Sequence, residues 1–129
     1  MHGTGLRLEG TMMADSPTKR TLKLCRDAGW SVQVVEKWNP FAKVRQDLFG
    51  FIDLVAMDGE TIIGIQSTSG SNVSKRFDKI RANPLALEWL RSGGRLFVHG
   101  WRKLKSSRKW ECREVEVTIG MLTGTEGNQ

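Results

Sequence analysis

The chain carries 129 residues, 39% of them hydrophobic and 26% charged, which is the size and balance of one globular domain rather than two. No apolar run nears the ~18 residues of a membrane span, no secretory signal opens the chain, and Cys25 and Cys112 stand apart, which argues against membrane insertion, secretion, a disulfide framework and a local four-ligand zinc site. A soluble, cytoplasmic protein is expected, and its net charge of +6 points to a polyanionic partner, nucleic acid being the commonest.

Residues 1–15 and 120–129 lack periodicity and are rich in small residues, so tails are expected around a single domain at 16–119. Ser16-Pro17 is a helix start, Leu22, Leu24, Cys25 and Ala28 give the helix an apolar side, and Gly29 ends it. Trp30 to Trp38 alternates as a strand does and stops at Asn39-Pro40, and a loop through Lys43, Arg45 and Asp47 follows. Phe51 to Met57 and Thr61 to Thr68, separated by Asp58-Gly59-Glu60, predict a β-hairpin. With Gly59-Glu60 at the turn Asp53 lies opposite Gln66; with Asp58-Gly59 the two are diagonal. Either register leaves them on one face.

Ser71-Asn72 is placed to cap a helix carrying Val73, Phe77 and Ile80, and Asn83-Pro84 starts a second with Leu85, Trp89 and Leu90, closed by Gly93-Gly94. Arg95 to Trp101 and Trp110 to Ile119 predict two further strands, joined by the basic connection Lys103 to Lys109. The order is α, β, β, β, α, β, β, an α/β fold. Eleven bases and two acids lie between Ser71 and Lys109, a local excess of nine positive charges, while the remainder of the chain is net acidic.

Asp53 interrupts an otherwise apolar strand, where an ionised carboxylate is costly unless it is paired or bound to a metal. Gln66 and Thr68 fall on its face across the hairpin, so three polar side chains converge at one end of it. Ser67-Thr68-Ser69-Gly70-Ser71-Asn72 leads into a helix and offers amides and hydroxyls to a phosphate, with Ser69 and Asn72 among the contacts. Arg45 can grip a phosphate and Asp47 can supply a further metal ligand. Trp101 and Trp110 flank a basic wing, Arg102, Lys103 and Lys105 among its charges, suited to backbone phosphates with a ring available for stacking. His99, with no partner at metal-ligand spacing, is expected to be structural.

An acid on the second strand and a polar-x-polar element ending the third, in the order αβββαβ, resemble the PD-(D/E)XK nuclease superfamily, with the layout of Holliday-junction resolvases and of the small VRR-NUC-type nucleases of phages and bacteria. The resemblance spans residues 16–101. It implies a restriction-endonuclease-like core, a mixed sheet flanked by helices, with an additional C-terminal strand, and a Mg²⁺- or Mn²⁺-dependent DNA endonuclease. Asp53 takes the place of the metal-binding acid, with Ile52 where the motif's proline often stands. Gln66 takes the place of the second acid, and Thr68 that of the lysine. Lys75, with Lys79 one turn further, is then the candidate for a lysine moved to the following helix, beside Arg76. The resemblance also implies a homodimer. Two other functions fit the same residues: a catalytically silent DNA-binding module of the same fold, and a protein-interaction domain with a basic face.

Overall fold

The computed structural model describes residues 16–124. Helix α1 (Pro17–Asp27) opens on Ser16, whose hydroxyl accepts the amide of Lys19 at 3.1 Å, with Pro17 in the first turn, where no N–H is needed. Its buried stripe is Thr18, Thr21 and Cys25, with Leu22 packed against the same core, while Leu24 and Ala28 of the expected apolar side are exposed. Hydroxyls therefore line much of the interface between α1 and the sheet.

Gly29, at φ +83°, turns the chain into β1 (Ser31–Val34). The single strand expected from Trp30 to Trp38 is broken there. The amides of Val35 and Glu36 both turn to the carbonyl of Asp53, at 2.8 and 3.3 Å. The chain then leaves the sheet as a separate hairpin of β2 (Lys37–Asn39) and β3 (Val44–Gln46), where a loop was expected from Lys43 onward. The Asn39 side chain holds the tip, accepting the amides of Phe41 and Ala42 at 2.9 and 3.1 Å.

Strands β4 (Leu54–Met57) and β5 (Ile62–Ser69) form the expected hairpin, with Leu54 opposite Ile65 and Met57 opposite Ile62, the register that puts Gly59-Glu60 at the turn. Asp58 fixes that turn by accepting the amides of Glu60 and Thr61 at 2.9 and 2.7 Å. Phe51 and Ile52 precede the strand proper but are fully buried. A 3₁₀ turn at Gly70–Asn72 leads into α2 (Val73–Arg81) and then α3 (Pro84–Arg91). Asn83 caps α3 as expected, accepting the amide of Leu85 at 2.9 Å. Asn72 does not cap α2; its amide donates to Ser69 Oγ at 3.0 Å.

Strand β6 (Arg95–Lys103) runs parallel to β5, and β7 (Trp110–Val117) returns antiparallel to it. Helix α4 (Ile119–Thr123) occupies the start of the expected C-terminal tail, with Leu122 against the core. The remainder of that tail and the expected tail at 1–15 lie outside the described residues. The result is an α/β domain whose mixed five-stranded sheet, ordered β1-β4-β5-β6-β7, is flanked by helices. On one face Cys25 of α1 packs over Leu54, Ala56, Ile63 and Ile65; on the other, Val73, Ile80 and Ala86 of α2 and α3 pack over Leu96, Val98 and Val117. Strand β5 lies at the centre, buried on both faces, which is why a near-continuous apolar run can end in buried polar residues.

The approach of the 3₁₀ turn to β6 depends on Gly100. A Cβ there would lie 2.3 Å from Val73 Cγ2 and 3.3 Å from Gly70 Cα. Gly100→Ala is expected to lower stability by about 1–3 kcal/mol through overpacking, seen as a lower denaturant midpoint at unchanged slope. An unchanged midpoint would mean that the turn and the start of α2 are not tied to β6.

Candidate functional site

Asp53 stands at the entrance to β4, only 4% exposed. Its main chain is fixed on both sides: its amide donates to Ile65 at 2.9 Å, and its carbonyl takes the two amides that end β1. Its carboxylate Oδ2 accepts Gln66 Nε2 at 2.8 Å and the Ser67 amide at 2.8 Å. Gln66 Nε2 also reaches Asp47 Oδ2 at 3.3 Å. The turn at the end of β1 brings in Glu36 and the end of β3 brings in Asp47, so oxygens of Glu36, Asp47 and Asp53 lie within 4.8 Å of one another, a group able to hold a metal ion.

Two cations stand at the edge of this group. Arg45 Nη1 is 3.7 Å from Glu36 and Lys79 Nζ is 3.6 Å from Asp47. With Thr18, Ser67 and Arg76 they line a cavity of about 830 Å³ that opens over the three acids. A second cavity, of about 580 Å³ beside Met57, Ile62 and Trp89, lies at the opposite end of the β4–β5 hairpin and holds no such cluster.

Burial is the main reason the Asp53 carboxyl is pushed up to about 8, and the neighbouring Asp47 carboxylate adds to it; the Ser67 amide opposes both without overcoming them. Three crowded acids therefore hold a proton at neutral pH, at the place a cation would take. Gln66 supplies a second, independent sign. The residue is 1% exposed and its Oε1 finds no hydrogen-bond partner among the described residues, while its Nε2 faces two carboxylates. Turning the amide over would point Oε1 into the acidic group, an orientation that suits a cation and nothing now present.

Behind the cavity wall Ser67 continues into a buried chain of polar groups. Its hydroxyl meets Thr21 Oγ1 at 3.0 Å, Thr21 meets His99 Nδ1 at 3.1 Å, and His99 Nε2 meets Glu114 at 3.0 Å. Trp101 Nε1 donates to Thr21 at 2.9 Å. Burial lowers the pKa of His99 and Glu114 pulls it back only in part, so the imidazole is neutral at neutral pH. A neutral ring that donates from Nε2 to Glu114 must accept at Nδ1. Thr21 then donates to His99 and accepts from both Trp101 and Ser67. Ser67 thus spends its proton inward and turns oxygen lone pairs toward the cavity.

Asp53 and Gln66 are brought together as their spacing implies, with Arg45, Asp47, Arg76 and Lys79 around them. Thr68 is buried but does not line the cavity, and neither does Lys75. Lys79, the next lysine on α2, is the one that reaches the acids. Ser69 and Asn72 bond to each other. Arg102 pairs with Glu111 at 3.0 Å and Arg95 with Glu116 at 3.0 Å, so acids of β7 offset part of the excess counted along residues 71–109. Lys103 and Lys105 are exposed around the end of β6. Trp101 is buried against Thr21 and so is closed to stacking, while Trp110 is 42% exposed with the Arg20 guanidinium 3.7 Å over its ring. Glu36 was not foreseen as part of the site. It looked like one residue of an alternating strand, and only the break after β1 turns it inward.

Compared with known protein families, curated proteins and solved structures, the chain matches none.

The raised pKa has a thermodynamic sign. Without metal, the folded protein holds a proton at Asp53 that the unfolded chain releases near pH 4, so this group's stabilisation is complete below about pH 4 and is lost as pH rises through about 8. In melts without divalent ions, wild type is expected to lose stability relative to Asp53→Asn between pH 5 and 8. A difference that stays flat, or grows in favour of wild type, would show an ionised Asp53 in the folded state.

Proposed function

We propose that this domain is a divalent-metal-dependent DNA endonuclease with the restriction-endonuclease-like core of the PD-(D/E)XK superfamily. The observation that carries the proposal is the buried group Glu36, Asp47 and Asp53 with the unpartnered Gln66 Oε1, set at the end of the central strands and rimmed by Arg45, Arg76 and Lys79. The sequence of α1, β1, β4, β5, α2–α3 and β6 supports it, matching αβββαβ once the β2–β3 hairpin is taken as an insertion and α2 with α3 as one helical connection.

The three carboxylates, joined by Gln66 Oε1 after rotation of its amide, would hold Mg²⁺ or Mn²⁺, hard cations that take oxygen ligands. When bound, such an ion polarises a scissile phosphate and lowers the pKa of a coordinated water. The remaining work belongs to side chains of this protein. Arg45 and Arg76 hold phosphate oxygens and set the backbone over the acids. Lys79, kept in place by Asp47, stabilises charge that develops on the phosphate and orients the attacking water, the part the sequence assigned to Lys75. Ser67, its hydroxyl proton turned inward, accepts a hydrogen bond from that water.

The test combines metal binding with hydrolysis. Calorimetric titration with Mn²⁺ is expected to show one site in wild type, none in Asp53→Ala, and a tighter one in Gln66→Glu, because a third-strand carboxylate adds charge that the amide lacks. Binding is also expected to strengthen as pH rises through about 8, since the ion displaces the proton held at Asp53. Lys79→Met is expected to keep the metal and lose DNA cleavage by on the order of 10²-fold or more. No Mn²⁺-dependent heat in either wild type or Gln66→Glu would remove the nuclease proposal. Metal binding without cleavage of any DNA would leave a DNA-binding module instead.

A further inference from the structure

The β2–β3 hairpin carries a surface that the acidic group does not explain. Residues 37–46 contain Lys37, Lys43 and Arg45 and no acid. Phe41 at the tip is 96% exposed and Trp38 is 58% exposed. These rings are not on a loose loop. The Asn39 carboxamide oxygen fastens the tip to two amides, the Lys43 amide donates to the Asn39 carbonyl at 2.7 Å, and Lys43 holds a left-handed φ of +57°. Water is a poor environment for two large aromatics on a two-stranded ribbon, which gains little stability by itself.

The register sets where Trp38 points. It pairs with Arg45 across the hairpin, so ring and guanidinium share a face, and Arg45 lines the acidic cavity. A third exposed ring, Phe49, belongs to the cavity wall itself, 52% exposed. Phe49 sits at φ +56°, a conformation unfavourable for a bulky side chain, held by Asn83 Nδ2 donating to its carbonyl at 2.9 Å. Aromatic rings thus stand on both the hairpin and the cavity wall, interleaved with Lys37, Lys43, Arg45 and Lys79.

We propose that Trp38 and Phe41, with Phe49, stack on unpaired bases of a DNA single strand whose backbone lies along Arg45 and over the acidic cavity. Charge complementarity and ring exposure choose this occupant together. Arginines and lysines alone would serve any phosphate backbone, duplex included. Base faces in a duplex are covered by their neighbours, so projecting rings gain contact only where bases are unstacked. The substrate is accordingly DNA containing a single-stranded stretch beside the bond to be cut. This deepens the endonuclease proposal and rests on it for the cutting step, but the binding stands on separate residues.

Fluorescence anisotropy, with EDTA present so that no cleavage occurs, tests it on three labelled DNAs: an oligothymidylate strand, a blunt duplex, and a duplex with a single-stranded tail. Wild type is expected to prefer the strand and the tailed duplex. Trp38→Ala and Phe41→Ala together are expected to weaken both by on the order of tenfold, with the blunt duplex changed less than about twofold and the salt slope unaltered, because stacking rather than charge is removed. Trp38→Phe is expected to recover part of the loss and guards against a folding defect. Equal losses on all three DNAs, or no loss on the strand, would overturn the proposal. So would a hairpin variant that turns a dimer into a monomer in sedimentation while binding every DNA as wild type does, since the rings would then join two copies. Failure of the Mn²⁺ titration leaves this result untouched, so the two proposals fall separately.

Discussion

A carboxylate buried in an apolar setting, Asp53, is the constraint around which this end of the molecule is arranged. Its carbonyl ends β1 by taking two amides, its own amide joins β5, and its side chain takes Gln66 and Ser67. Those contacts set the turn that brings in Glu36 and hold Gln66 against Asp47. Burying an acid is unfavourable by itself, and here two more acids are drawn toward it rather than a matched base. Such an arrangement is poor as a stabilising device and suited to a cation.

The polar chain from Ser67 through Thr21 and His99 to Glu114 extends the same logic across the sheet. It links the cavity wall, α1, β6 and the edge strand β7 through hydrogen bonds that use Thr21 Oγ1, both ring nitrogens of His99 and the Trp101 N–H. Hydroxyls on the buried face of α1 are thus there for position as well as packing. Against that wall, the long and half-exposed side chains of Arg45 and Lys79 are free to adjust around the acids.

Much of this was legible in the sequence, and the reasons for the rest are local. Parity in the 51–68 hairpin brought Asp53 and Gln66 together because side chains alternate across a strand whatever the turn. Asn83-Pro84 gave a true helix start because cap and proline act within one turn. By contrast, the break after Val34 comes from the Asp53 carbonyl, nineteen residues ahead in sequence, so no local pattern announces it. That break hid both Glu36 and the separate hairpin. Counting charge along residues 71–109 also missed the acids of β7, which meet their bases only after the sheet forms. Nearness in sequence to Thr68 favoured Lys75, yet it is Lys79, one turn further along α2, that lines the cavity and meets Asp47.

Glu36, Asp47 and Asp53 stand close enough to hold a cation, and Gln66 Oε1 would complete the site once its amide turns over. Anomalous diffraction from crystals equilibrated with Mn²⁺ is the decisive measurement. The expected result is one strong peak among the three carboxylates, with the Gln66 amide turned so that Oε1 faces the ion. Full occupancy of Mn²⁺ elsewhere with no peak at Asp53, and Gln66 Nε2 still donating to Asp53 and Asp47, would contradict it.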